Sequence, residues 1–188
     1  MNKLLTHWFS FGLMAVWIII CIICQKTDVA SYFANRGIAV IGSQYYRFVT
    51  SLFVHTNFLH LLANVSALYF LGKYLEPQIT PVKLLAFSLL IGVVTEALFS
   101  VVYRNAVSFG GSPILFALIG LIIALKIMQA DVFQFKLGTW NGNWIVGYAI
   151  LANIPIFSDN FVSTLFVHGI PTVLGILLGC LCIGLKLI

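Results

Sequence analysis

The sequence has 188 residues, of which 61% are hydrophobic and only 8% charged, and its mean hydropathy is +1.07. A soluble domain carries roughly 25% charged residues, so a chain this apolar has too little polar surface to face water and must use lipid as its solvent. The net charge of +5 does not indicate nucleic acid, because the ten Lys and Arg are scattered singly and form no patch.

A transmembrane helix needs about 20 apolar residues, so this length accommodates at most about six or seven spans with short loops. The chain therefore reads as a single membrane domain over residues 1–188, all-α. Six apolar segments are predicted in order. The first, Trp8–Cys24, is longer than the roughly 7–15 residues of a secretory h-region and is read as a span. The connection Gln25–Thr50 carries Tyr32, Phe33, Tyr45 and Tyr46, which is not a flexible-linker composition and suggests a structured, partly inserted loop. The second segment is Ser51–Gly72, the third Val82–Tyr103 and the fourth Ser112–Met128. The fifth, Asn143–Phe157, is short and contains Pro155, and the sixth is Phe161–Leu185. Cys21, Cys24, Cys180 and Cys182 lie in apolar stretches without His or Asp beside them, so they read as lipid- or core-facing thiols and no metal site is expected. With the N-terminus cytoplasmic, Lys3, Lys73, Lys83, Lys126, Lys136 and Lys186 fall inside, and Lys26, Arg36, Arg47 and Arg104 outside. The positive-inside rule thus favours N-in, C-in.

Polar side chains in membrane spans are costly and usually face the protein interior. The second span carries His55, Asn57, His60 and Asn64, the third Glu96, the fifth Asn153 and the sixth His168; the fourth opens with Gly110-Gly111-Ser112-Pro113. His60 and Asn64 are four apart and share one helical face, able to donate toward the same point; in a continuous helix His55 points elsewhere. Alone, this pair is explained equally by hydrogen bonds that join helices. Ser112, between two glycines and Pro113, reads as lying at or beside a helix N-terminus. There, free N–H groups and the helix dipole favour a developing negative charge, although a plain N-cap serine has the same signature. His168, Pro171, Gly175 and Gly179 form one stripe, and Gly175 and Gly179 permit close helix approach.

In the N-in arrangement the second, fourth and sixth spans all enter from outside. His60 lies about nine residues into the second and His168 about seven into the sixth, both in the outer half of the bilayer at 1.5 Å per residue. Ser112 joins them if the loop before it dips inward, as Val107 and Phe109 allow. A serine, a histidine and extra donors at one level are the parts of a nucleophile, a general base and an oxyanion hole. No Asp is near, so only a Ser–His dyad is available.

These residues resemble the rhomboid intramembrane serine proteases. Tyr46-Arg47-Phe48-Val49-Thr50-Ser51-Leu52-Phe53-Val54-His55 is similar to the run leading into that family's second helix. His60-Leu61-Leu62-Ala63-Asn64 matches H-x-x-x-N, Leu71-Gly72 through Glu76 matches L-G-x-x-x-E, and Gly110-Gly111-Ser112 matches most of G-x-S-G. Ala117-Leu118-Ile119-Gly120 resembles the stretch that follows, and His168 with Gly175 fits H-x-x-G-x-x-x-G. The resemblance implies a six-helix bundle with an inserted first loop, Ser112 as nucleophile and His168 as general base. It also implies Asn64, His60 and the Ser112 N–H as oxyanion donors. Implied substrates are transmembrane segments of other membrane proteins, in a bacterial-type multi-pass form in a cell membrane, with no cofactor. Pro113 and Pro171 replace two family glycines, Pro171 being expected to kink the sixth span. Phe116 stands where many members have a tyrosine stacked on the histidine. Two other readings use the same residues. A rhomboid-like protein could bind membrane helices without cutting them. A small transporter could use His55, His60, Glu96 and Asn64 as a polar path, although no duplicated halves of the kind common in transporters are visible. Glu96 itself reads as helix glue ahead of any catalytic role.

Overall fold

The computed structural model describes residues 8–128, 135–154 and 161–188. The fold is helical, and among the described residues the only β feature is one antiparallel bridge, Asn35–Ser108. Among the described residues, four helices are long and apolar enough to cross a membrane: α1 (Trp8–Lys26), α5 (Phe58–Leu75), α6 (Pro81–Val102) and α9 (Phe161–Gly184). The shorter apolar helix α7 (Ser112–Met128) and the 12-residue helix α8 (Trp140–Leu151), also among the described residues, pack with them. Between α1 and α5 lie three one-turn helices, α2 (Val29–Phe33), α3 (Ile38–Ile41) and α4 (Arg47–Thr50), and a 3-10 turn, Ser51–Phe53.

Every residue of α7 from Ser112 to Ile122 is buried. A helix apolar on all sides belongs in the middle of a bundle, and α7 occupies that position, packed most extensively against α9 and also against α5 and α6. Glycine makes the α7–α9 contact close. A Cβ on Gly120 would lie 2.4 Å from Thr172 O, and one on Gly175 would lie 2.4 Å from Ala117 O. The buried stripe of α9 consists of His168, Pro171, Gly175, Gly179 and Ile183, as the spacing predicts. Its other face exposes Leu165, Val173, Leu177 and Leu181, and α1 exposes Ile19 and Ile22. Apolar side chains arranged outside a packed interior fit a lipid surround.

The predicted ends of most segments agree with the helices within a few residues, but the second does not. The segment Ser51–Gly72 is not one helix. After the 3-10 turn the chain extends at Val54 (ψ 130°) and again at Asn57 (ψ 129°). Asn57 Oδ1 then accepts from the N–H of Leu59 at 2.8 Å and of His60 at 3.4 Å, which caps a new helix at Phe58. His60 is therefore in the first turn of α5 and not nine residues into a span. The run Leu52-Phe53-Val54 reads as helix by composition because a buried loop is as apolar as a span. The end of the predicted fifth segment, Pro155–Phe157, and Lys3 lie outside the described residues.

The first connection is structured through its backbone carbonyls. Buried Arg47 donates through Nη1 to Ser31 O (2.7 Å) and Ala34 O (2.8 Å) and through Nε to Gln44 Oε1 (2.6 Å). Thr50 Oγ1 donates to Phe33 O at 2.8 Å. At the other end of α5, Glu76 Oε1 accepts from Ser10 N at 2.8 Å, tying the L-G-x-x-x-E segment to α1. Gly72 faces the same contact, where a Cβ would come 2.5 Å from Ser10 Oγ.

Candidate active site

Ser112 is the first residue of α7. Gly111 O accepts from Ile114 N (3.1 Å) and Leu115 N (3.2 Å), so Ser112 and Pro113 fill the first turn. N–H groups there have no intrahelical acceptor, and Pro113 thus interrupts no helical bond. The two preceding glycines are required for different reasons. Gly110 has φ +123°, a conformation that disfavours side chains, and a Cβ on it would lie 2.7 Å from His60 Cε1. A Cβ on Gly111 would lie 2.1 Å from Trp17 Cζ2. The turn is held by Gly110 N donating to Ser51 O at 2.9 Å.

A cavity of about 810 Å³ opens beside this turn, lined in part by His60, Asn64, Ser112, Tyr148 and His168. Val107 and Phe109 also line it, in keeping with a loop that dips inward. All four side chains expected from the sequence, Ser112, His168, Asn64 and His60, thus face one space. Ser112, His168 and Asn64 are buried, while His60 is half-buried. Phe116, one turn after Ser112, stacks on the His168 ring with centroids 4.1 Å apart and planes 11° apart; the stacking expected of a tyrosine there survives without the hydroxyl. No hydrogen bond joins Ser112 Oγ to His168 among the described residues. His168 Nδ1 is instead 3.0 Å from Asn153 Oδ1. Pro171 does not interrupt α9, which continues through it to Gly184.

Asn64 and Tyr148, which line the cavity, belong to a directed chain of hydrogen bonds. The Gly111 N–H can only donate, and it points at His55 Nε2 at 3.3 Å. That nitrogen is therefore an acceptor, and Asn64 Nδ2 must donate to it at 2.8 Å. Asn64 Oδ1 in turn accepts from Tyr148 Oη at 2.8 Å. The His55 ring sits 5.2 Å from Trp17 and 5.1 Å from His60. His55, expected to point elsewhere, thus meets both members of the predicted pair, because the extended stretch before Phe58 turns it back. Tyr148 gave no signal in the sequence, since one tyrosine in an apolar segment has no distinguishing spacing. Asn153 was visible only as an isolated polar residue.

Glu96 stands apart from this cavity wall. It is fully buried, accepts from Asn35 Nδ2 (2.7 Å) and Ser108 Oγ (2.8 Å), and acts as an anchor for two loops.

Comparison with known families agrees with this geometry. The Rhomboid domain family matches residues 42–185. Among curated proteins, the chain is 27% identical over 126 residues to Inactive RHOMBOID-like protein 8 of Arabidopsis thaliana, covering 63% of this chain and 34% of that one. It is 31% identical over 100 residues to RHOMBOID-like protein 7 of the same plant, covering 53% and 32%. Rhomboid-like protein 11, chloroplastic, also from Arabidopsis, is 36% identical over 84 residues, covering 44% and 30%. The matched region spans about a third of the length of each relative, and these plant proteins lend no support to a bacterial setting. With the domain match extending from the first connection to the end of α9, this chain belongs to the rhomboid family.

Proposed function

We propose that this rhomboid-family chain is an intramembrane serine endopeptidase that cuts transmembrane segments of other membrane proteins with a Ser112–His168 dyad. The observation that carries the reading is that Ser112, at the N-terminus of α7, and His168, on the buried stripe of α9, line one cavity, with Phe116, one turn after Ser112, stacked on the imidazole. In this reading Ser112 Oγ attacks the scissile carbonyl carbon and passes its proton to His168 Nε2. The Ser112 N–H, Asn64 Nδ2 and His60 stabilise the oxyanion. The leaving amine takes the proton from His168, and water then hydrolyses the acyl-enzyme by the same path in reverse. The hydroxyl–imidazole hydrogen bond forms when substrate closes the site; such bonds are often long in unliganded enzymes. The helical bundle lies in the bilayer with the N-terminus cytoplasmic, which the lysine distribution favours, and the Gln25–Thr50 connection lies partly in the membrane. The substrate enters the cavity as a locally unwound helix.

The test is reaction of the detergent-solubilised protein with a fluorophosphonate probe and with a model transmembrane substrate. Labelling on Ser112, lost in Ser112→Ala and His168→Ala together with cleavage, is the expected result. A relative bears the name inactive, and the absence of a direct Ser112–His168 bond among the described residues favours one competing reading, a rhomboid-like protein that binds membrane helices without cutting. Folded wild-type protein that takes no label and cuts nothing would overturn the protease reading and favour that alternative.

A further inference from the structure

We infer that Asn153 is a positioning residue that fixes the tautomer of His168, an inference that rests on the protease reading above. Asn153 lies just past the end of α8, and the orientation of its amide is dictated by its other partner. Asn153 Nδ2 is 2.7 Å from Ala149 O, and a carbonyl oxygen can only accept. The NH2 therefore faces Ala149 and Oδ1 faces His168, 3.0 Å from Nδ1. An amide oxygen cannot donate, so Nδ1 carries the ring proton. His168 Nε2 is left with its lone pair, which is the form a general base needs. The Phe116 face and the bond from Thr172 Oγ1 to His168 O at 2.7 Å hold the ring and its backbone from two further sides.

The composition of the site gives this contact its weight. Among the described residues, no carboxylate lines the cavity; the titratable groups among them there are His60, Tyr148 and His168 itself. In serine proteases built on a triad, a carboxylate holds the imidazole tautomer, and supplying the wrong tautomer costs about 10⁴ in kcat. Here a neutral acceptor from a different element takes that position. It orients the base without adding charge, so the imidazolium formed in the reaction is stabilised by the bond alone.

The experiment measures the fluorophosphonate labelling rate and the ¹⁵N NMR tautomer of His168 in wild type, Asn153→Leu and Asn153→Asp, with thermal melting as the check on folding. Wild-type His168 is expected as the Nδ1–H tautomer. Asn153→Leu, which has similar volume and no acceptor, should mix the tautomers and slow labelling about tenfold or more. Asn153→Asp keeps an acceptor and should return labelling to within a few-fold of wild type. An Nε2–H tautomer in wild type overturns the inference whatever the variants do. So does a folded Asn153→Leu that labels at the wild-type rate, or an equal loss of rate and melting temperature in both variants. The NMR result decides the tautomer even if wild type takes no probe, whereas folded wild type without labelling sinks the protease reading alone.

Discussion

Asn64 serves two neighbours at once, and this sets what its removal should do. One hydrogen of Nδ2 goes to His55 Nε2, Oδ1 accepts from Tyr148, and the residue lines the cavity with Ser112. In the proposed reaction its second N–H serves the oxyanion. Loss of a single oxyanion donor lowers kcat about 10²- to 10³-fold, and the Ser112 N–H remains. Asn64→Ala should therefore reduce cleavage of the model substrate by roughly tenfold to a thousandfold without abolishing it, as measured by initial rates. A loss as complete as that of Ser112→Ala would mark Asn64 as a structural member of the His55 chain. The pair His60 and Asn64 could be read from the sequence because both lie on one helix, where spacing alone sets the face. His55, Tyr148 and Asn153 could not. Their roles depend on how separate elements rotate toward one another, and for His55 on an extended backbone where the apolar run suggested helix.

At the scale of elements, the proposed dyad depends on how closely α7 and α9 approach, since Ser112 is on one and His168 on the other. The approach is set where backbone meets backbone. A Cβ on Gly175 would meet Ala117 O at 2.4 Å and Gly120 Cα at 3.1 Å, and neither can step aside as a flexible side chain would. Gly175→Ala should push the helices apart. Overpacking of this kind costs about 1–3 kcal/mol, and both the melting temperature and the labelling rate should fall. Gly169→Ala is the control on the same helix: nothing lies within 4 Å of its added Cβ, and Ala is favoured over Gly in a helix by about 1 kcal/mol. Its melting temperature should hold or rise. If the two variants behave alike, close α7–α9 packing does not set the site. The glycine spacing on α9 announced a close partner from the sequence, but not which one. That α7 is the partner follows from its burial on all sides, which an apolar run of 17 residues cannot distinguish from a lipid-facing span.

Across the whole molecule, one buried carboxyl group joins the membrane bundle to the two connections that shape the site. Glu96, in α6, takes bonds from Asn35 in the first connection and Ser108 in the loop leading to Ser112. Asn35 and Ser108 also pair backbone to backbone at 3.0 and 2.9 Å, and Asn35 Oδ1 accepts from Ser100 Oγ at 2.6 Å. Sequence reading assigned Glu96 no partner, because each partner lies in a loop whose path only the folded chain defines. Glu96→Ala would leave Ser108 Oγ without its acceptor and Asn35 Nδ2 with only Glu96 O at 3.0 Å. Each buried polar group left unsatisfied costs about 1–3 kcal/mol. Glu96→Gln keeps one carbonyl oxygen and should lose only part of that. The expected order of melting temperature is therefore wild type, then Glu96→Gln, then Glu96→Ala. The labelling rate of Ser112 should fall in the same order, because loosening Ser108 loosens the turn through Gly110 and Gly111. A Glu96→Ala protein that melts with wild type would show that the two loops hold their places without this anchor. One that melts normally but no longer labels would give Glu96 a direct part in the chemistry.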